Sequence, residues 1–406
     1  MEAHTFFLIL LTILLAARLL GELAARLGAP AVIGELLAGV LIGPSALGWV
    51  EPTQTILLLA EIGIILLLFE VGLETDVMRL VRTGMKPILV AIAGVVLPFL
   101  LGFAASRYLF GQTLLTALFV GGTLTATSIG ITVRVLTDLG RSQSSEARIV
   151  LGAAVLDDVI GVVLLALLYE FSTGGGINLA NTGRVGLFIA LFMLLAPFAA
   201  KIIAEQIERL DRTSKIPGLL PTTVVSLVLF FAWLAHVVGA PELLGGFAAG
   251  LALSRCLYVP FGFTIRTDPD FSHRIEAQLR PVVHLFTPIF FVAVGLMLNF
   301  RTIDWSSPFI WMFSVSLLLL AVIGKLASGF MATAENRHAR MLIGLAMVPR
   351  GEVGLIFAQL GQSSGIFNNE VYAAMVIVIA ATTLLPPFAL KWYYHKFGGR
   401  LAGPQE

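Results

Sequence analysis

Charge is scarce in this sequence. Asp, Glu, Lys and Arg together make up 13% of the 406 residues, about half of the roughly 25% found in soluble domains. Hydrophobic residues reach 58% and collect in runs near 20 residues long, so the chain is an integral membrane protein. A net charge of +1 leaves no nucleic-acid footprint. The single cysteine, Cys256, excludes an internal disulfide and any multi-cysteine metal site and reads as a small core residue. No basic segment precedes the first apolar run, Phe6 to Leu20, and no small-residue cleavage site follows it; it reads as a membrane helix rather than a signal peptide. The runs are apolar all round instead of alternating, which excludes a barrel.

Thirteen candidate spans result: 5–25, 30–48, 53–74, 87–108, 113–136, 147–170, 184–204, 220–238, 241–257, 281–299, 308–333, 339–361 and 370–392. Of the 26 Lys and Arg residues, 21 follow odd-numbered spans or lie in the tail, three (Arg107, Arg184, Arg301) fall in even-numbered connections, and Lys325 and Arg350 lie inside spans. By the positive-inside rule the N-terminus is expected outside and the C-terminus in the cytoplasm, with 401–406 a short tail.

Residues 28–43 (GAPAVIGELLAGVLIG) and 239–254 (GAPELLGGFAAGLALS) share their Gly-Ala-Pro start, Gly34/Gly245, Ala38/Ala249 and Gly39/Gly250. Val71-Gly72-Leu73 and Val294-Gly295-Leu296 form a second pair, and both pairs are seven spans apart. An odd separation makes the copies cross the membrane in opposite senses, an inverted-topology repeat of the kind found in secondary transporters. Span five holds TLTATSIG (123–130) and its counterpart holds MVPRGEVG (347–354). Hydroxyl-rich and Pro/Gly-rich stretches interrupt helices, so two broken helices are expected to cross at mid-membrane, Arg350 and Glu352 compensating their dipole ends.

Charges at the bilayer centre cost about 2.5–3.5 kcal/mol each even on the gentlest scale and mark function. Asp157 and Asp158 sit together in AVLDDVIG (154–161), and Lys325 stands alone in AVIGKLASG. Adjacent helical residues point about 100° apart, so one aspartate can line a cavity while the other turns to a neighbouring helix, where Lys325 needs an anion. Two close carboxylates repel when both are ionised; a monovalent cation relieves that repulsion and displaces a proton, and protonation expels the cation. Such competition is the minimum machinery of an antiporter, with Thr127 and Ser128 as neutral oxygen ligands. Glu35, Glu61 and Glu70 are weaker candidate cavity carboxylates, Glu70 standing near a span end; Glu74 and Asp76 read as loop residues, and His236 and His284 as structural.

TATSIGITVRVL (125–136), AVLDDVIG (154–161), the lysine of IGKLASGF (323–330) and MVPRGEVGLI (347–356) resemble bacterial Na⁺/H⁺ antiporters of the second monovalent cation:proton antiporter family, most closely its NapA-like, paired-aspartate branch. The resemblance implies an all-α polytopic membrane protein with the NhaA-like antiporter fold, in which Asp158 binds the cation or a proton and Asp157 is the second Na⁺-binding carboxylate. Lys325 would then pair with Asp157 and release its proton when the cation arrives, giving electrogenic exchange. It further implies a homodimer in a prokaryotic inner membrane. Residues 5–74 and 220–299 would form a dimerisation domain, and residues 87–170 and 308–392 an ion-translocating core that moves like an elevator. No cofactor, catalytic residue or nucleic-acid partner is expected, only monovalent cations, protons and membrane lipids. Glu70 departs from the apolar residue expected before VGLE, and the 406 residues include no soluble nucleotide-binding domain, so ligand-gated K⁺ efflux is not the expectation. A K⁺/H⁺ antiporter is the nearest alternative. An intramembrane aspartyl protease would need its aspartates on separate helices, and a channel would not couple cation uptake to a pH gradient.

Overall fold

A computed structural model describes residues 3–74, 84–172, 179–213, 216, 218–254, 256–259, 263–266, 269–333 and 335–401. The expected loop residue Asp76, four of the basic residues counted above (Arg79, Arg82, Lys215 and Arg255) and most of the tail lie outside these residues. Each of the thirteen apolar stretches contains at least one helix. The helices are α1 (Ala3–Arg26), α2 (Ala31–Ile42), α3 (Gln54–Glu74), α4 (Lys86–Ala104), α5 (Leu114–Thr123), α6 (Ile129–Asp138), α7 (Ser145–Ser172) and α8 (Leu179–Thr213). They continue as α9 (Leu219–Val237), α10 (Glu242–Leu253), α11 (Pro269–Met297), α12 (Pro308–Gly329), α13 (Arg337–Ala346), α14 (Glu352–Ser363), α15 (Asn369–Leu384) and α16 (Pro386–Leu401). Among the described residues eight helical stretches are long and apolar enough to cross a membrane, and four apolar helices are shorter.

Two of the short helices depart from the expected spans. α2 and α10 have 12 residues each, about 18 Å at 1.5 Å per residue and short of a bilayer core. α2 stops because Gly43 precedes Pro44 and is extended (φ −82°, ψ −173°), the conformation that a following proline imposes. α10 stops at an extended Ser254, and an antiparallel hairpin follows, β1 (Cys256–Val259) with β2 (Phe263–Arg266), where a helix end and a loop were expected. Cys256 therefore belongs to a strand; its side chain is outside the described set. Other helices outrun their spans: α8 has 35 residues and α11 29, so Arg209, beyond the expected end of its span at 204, rides on a helix instead of a loop.

The chain forms two compact units. The first comprises Met1–Thr53, Met85–Asn178 and Phe291–Glu406. Its apolar core gathers Phe119 of α5, Phe313 and Leu317 of α12, Phe357 of α14 and Ile379 of α15. The second comprises Gln54–Gly84 and Leu179–Phe290. Within it α10 packs along α3, α8 and α9.

Each unit contains the same glycine contact. In the first, a Cβ on Gly39 of α2 would stand 2.0 Å from the Val292 carbonyl oxygen and 2.8 Å from the Gly295 Cα of α11. In the second, a Cβ on Gly250 of α10 would stand 2.2 Å from the Phe69 oxygen and 2.9 Å from the Gly72 Cα of α3. Gly34 against Leu20 and Gly245 against Phe231 repeat the correspondence, at 2.0 and 2.2 Å. Small residues let membrane helices approach backbone to backbone, and a methyl group there has nowhere to go. Gly39→Ala and Gly250→Ala are each expected to destabilise the protein by at least the ~1–3 kcal/mol of overpacking, read as a lower melting temperature in detergent. Gly183→Ala on α8, where a Cβ meets nothing within 4 Å, should leave the melting temperature unchanged or slightly raised.

Candidate functional site

The site grows from two interrupted helices in the first unit. α5 ends at Thr123, residues 126–128 are not helical, and α6 resumes at Ile129. The sequence explains the stop: the Thr123 and Thr125 hydroxyls donate to the Phe119 and Gly122 carbonyls, both at 2.8 Å, so side chains compete for acceptors that helix continuation would use. α13 likewise ends at Ala346, and α14 resumes at Glu352 after Pro349, which has no N–H to donate.

The breaks satisfy each other. Ser128 N–H donates to the Pro349 carbonyl at 2.7 Å. Thr132 Oγ1 donates to the Ala346 carbonyl at 2.7 Å and Thr127 Oγ1 to that of Met347 at 3.3 Å. In the other direction the Arg350 guanidinium donates through Nη2 to the Leu124 carbonyl at the end of α5, placing a cation at the negative end of a helix dipole. Thr383 of α15 donates to the Arg350 carbonyl at 2.5 Å.

Charge is buried beside this crossing. Lys325 of α12 has 0% exposure and Asp157 of α7 has 2%. The Lys325 ammonium donates to Thr127 Oγ1 at 2.7 Å and lies 3.3 Å from Asp157 Oδ2. Gly94 of α4 faces the pair: a Cβ there would stand 3.7 Å from Lys325 Nζ, in ordinary van der Waals contact. Asp158, the next residue of α7, is also buried, with 6% exposure. Asp157 Oδ1, Ser128 Oγ and two Arg350 nitrogens are buried with no hydrogen-bond partner among the described residues. An uncompensated oxygen on a buried carboxylate costs free energy unless a proton or cation reaches it, so the donor set suits a small hard cation.

The remaining candidates separate. Glu35 of α2 is buried, 2% exposed, and its Oε1 lies 3.6 Å from Nη2 of Arg134 on α6. Arg134 also reaches Asp138 at 3.3 Å; it lies on α6, within the expected span 113–136. Glu352 begins α14, and its side chain is outside the described set. Glu61 and Glu70 lie half-buried on α3 in the second unit, where His236 contacts Glu242 at 2.5 Å and His284 is exposed on α11. Sequence reasoning did not single out Thr132, Thr383, Gly94 or Arg134. Thr132 stands one turn after Ser128, and Arg134 interrupts the apolar VRVL stretch; those were the available signals. Thr132→Val leaves the Ala346 carbonyl orphaned, and a loss of about 1–3 kcal/mol is expected, measured by thermal unfolding against Thr222→Val, whose exposed hydroxyl only back-bonds to Gly218.

Residues 9–396 match the family of transmembrane sodium/hydrogen exchangers. The sequence is 35% identical to the Na⁺/H⁺-K⁺ antiporter GerN of Bacillus cereus, with 97% of both chains aligned. It is 32% identical to the high-affinity Na⁺/H⁺ antiporter NhaS3 of Synechocystis, over 93% of this chain and 87% of that one. The fold resembles that of the sodium/proton antiporter MjNhaP1 from Methanocaldococcus jannaschii, with a TM-score of 0.67 at 16% identity, covering 97% of this chain and 100% of the other. The matched region runs through both helix breaks and every buried charge beside them, and the chain therefore belongs to the sodium/hydrogen exchanger family, transporters rather than enzymes.

Proposed function

We propose that this protein exchanges Na⁺ or Li⁺ for H⁺ electrogenically, with cation and protons competing for Asp158, Asp157 and Lys325. The observation that carries this reading is the fully buried Lys325–Asp157 pair next to a second buried carboxylate. Without a cation, Asp158 holds a proton and Lys325 pairs with Asp157, so these three groups sum to zero charge. An arriving cation takes both carboxylates together with the Thr127 and Ser128 hydroxyl oxygens. Asp158 and the displaced Lys325 each release a proton, and the loaded site carries one net negative charge. The two forms differ by one charge as they cross the field, which makes exchange of two protons per cation electrogenic.

Thirteen crossings with the N-terminus outside and the C-terminus in the cytoplasm of a prokaryotic inner membrane complete the reading. The repeated glycine contacts support an inverted repeat, and the bonds between the two breaks support crossed discontinuous helices at its centre. Residues 87–170 and 308–392 act as the moving core, and residues 5–74 and 220–299 as a dimerisation domain of a homodimer. GerN, whose name couples Na⁺/H⁺ exchange with K⁺, keeps K⁺ as the second candidate cation.

Proteoliposomes test this directly. An imposed pH gradient should drive Na⁺ or Li⁺ uptake, and adding either cation should release protons, with K⁺ the comparison that fixes selectivity. Asp158→Asn should abolish both signals, a loss of 100-fold or more by analogy with removal of a group essential to site chemistry, on the order of 3 kcal/mol. Native exchange rates in Asp158→Asn would overturn the mechanism. Cation flux that ignores the pH gradient would identify a channel.

A further inference from the structure

α16 is built to leave a membrane at a particular depth. Its outward residues descend along one face: Leu385 just before it, then Phe388, then Trp392, all exposed, and one turn further Lys396. Apolar side chains followed by a tryptophan and then a cation is the order in which hydrocarbon, glycerol level and phosphate succeed one another. The helix holds Lys391, His395, Lys396 and Arg400 and no acidic residue.

Among the described residues two cations at this end, Lys396 and Arg337, have no carboxylate partner. Lys396 Nζ lies 4.8 Å from the centre of the Trp392 ring and 5.4 Å from that of Phe397. Arg337 opens α13 close enough to Tyr393 to act on it electrostatically. His338 beside it stacks on Phe397 at 4.6 Å and shares a 3.1 Å hydrogen bond with the Tyr393 hydroxyl, which ties the start of α13 to α16. The first turn of α13 carries Arg337, His338 and Arg340 and no acid, although the positive end of a helix dipole disfavours basic side chains unless an anion offsets them. The nearby Glu335 is engaged by Lys86 at 2.7 Å. Arg340 is spent on the Glu335 and Thr333 carbonyls.

We infer that Lys396 and Arg337 bind the headgroup of an anionic phospholipid, with Trp392 packed against its glycerol and upper acyl region. The lipid supplies the charge that the protein lacks there, and its chains continue along Phe388 and Leu385. A free phosphate would use the two cations but not the apolar ladder above them, so the membrane lipid is the occupant the whole face fits.

Bromine-labelled acyl chains report on this contact, because they quench nearby tryptophan. The full chain is placed in nanodiscs of unlabelled phosphatidylcholine, with either brominated phosphatidylglycerol or brominated phosphatidylcholine titrated in. The quenching missing from Trp392→Phe isolates the Trp392 contribution. Phosphatidylglycerol should quench Trp392 at a mole fraction lower by roughly fivefold per basic residue engaged. Lys396→Gln combined with Arg337→Gln should equalise the two lipids, whereas Lys396→Arg should keep the preference; all three positions are exposed, so folding is maintained and checked by gel filtration. Equal quenching by the two lipids in the native sequence would overturn the inference. So would a preference that survives the double substitution. Displacement of brominated phosphatidylglycerol by inorganic phosphate would instead identify a site for the free anion and refute the lipid assignment.

Discussion

Backbone that unwinds inside a membrane must find its hydrogen bonds within the protein, because hydrocarbon offers none. Everything at the centre of this molecule answers to that constraint. The carbonyls of Ala346, Met347 and Pro349 have no helical partners, and they are met by Thr132, Thr127 and the Ser128 N–H. Leu124 has the same deficit and is met by Arg350. Each break is thus the other's substitute for water, and neither segment is stable unwound without its counterpart.

Satisfaction at the crossing is incomplete, and the shortfall is informative. Thr127 serves twice, accepting from Lys325 and donating to Met347. Asp157 Oδ1 and Ser128 Oγ have no hydrogen-bond partner among the described residues. A fully bonded network would be rigid and inert; here two Arg350 donors are also left over, but the open position on a buried carboxylate is the one that a proton or a cation can fill. The Lys325 ammonium is the resident positive charge, held by a 2.7 Å bond to a hydroxyl and a longer 3.3 Å contact to a carboxylate. Its partners are the oxygens an arriving cation would claim.

Much of this was legible because membranes impose simple rules. Long apolar runs had to be helices, and TLTATSIG and MVPRGEVG had to weaken them, since hydroxyls compete for carbonyls and proline lacks a donor. What could not be read was pairing across the chain. Thr132 and Thr383 look in sequence like any threonine bonded back within its own helix; Thr383 does so too, reaching Ile379 as well as Arg350. Arg134 showed no partner in the sequence because Glu35 lies on another helix far away along the chain. The 12-residue lengths of α2 and α10 were hidden by apolar composition that continues past Gly43 and Ser254, although Pro44 gave one local sign. The hairpin of 256–266 left no signal in a reading tuned to helices.

In the proposed mechanism Lys325 carries one of two protons exchanged for each cation. The membrane potential at which net flux through proteoliposomes vanishes, measured for set Na⁺ and H⁺ gradients, reads that stoichiometry without depending on rate. The native protein should show a null potential corresponding to two protons per cation. Flux in Lys325→Gln should be insensitive to voltage, since that variant still binds cation but moves one proton for each. A null potential unchanged in Lys325→Gln, or complete loss of cation binding in that variant, would contradict the mechanism.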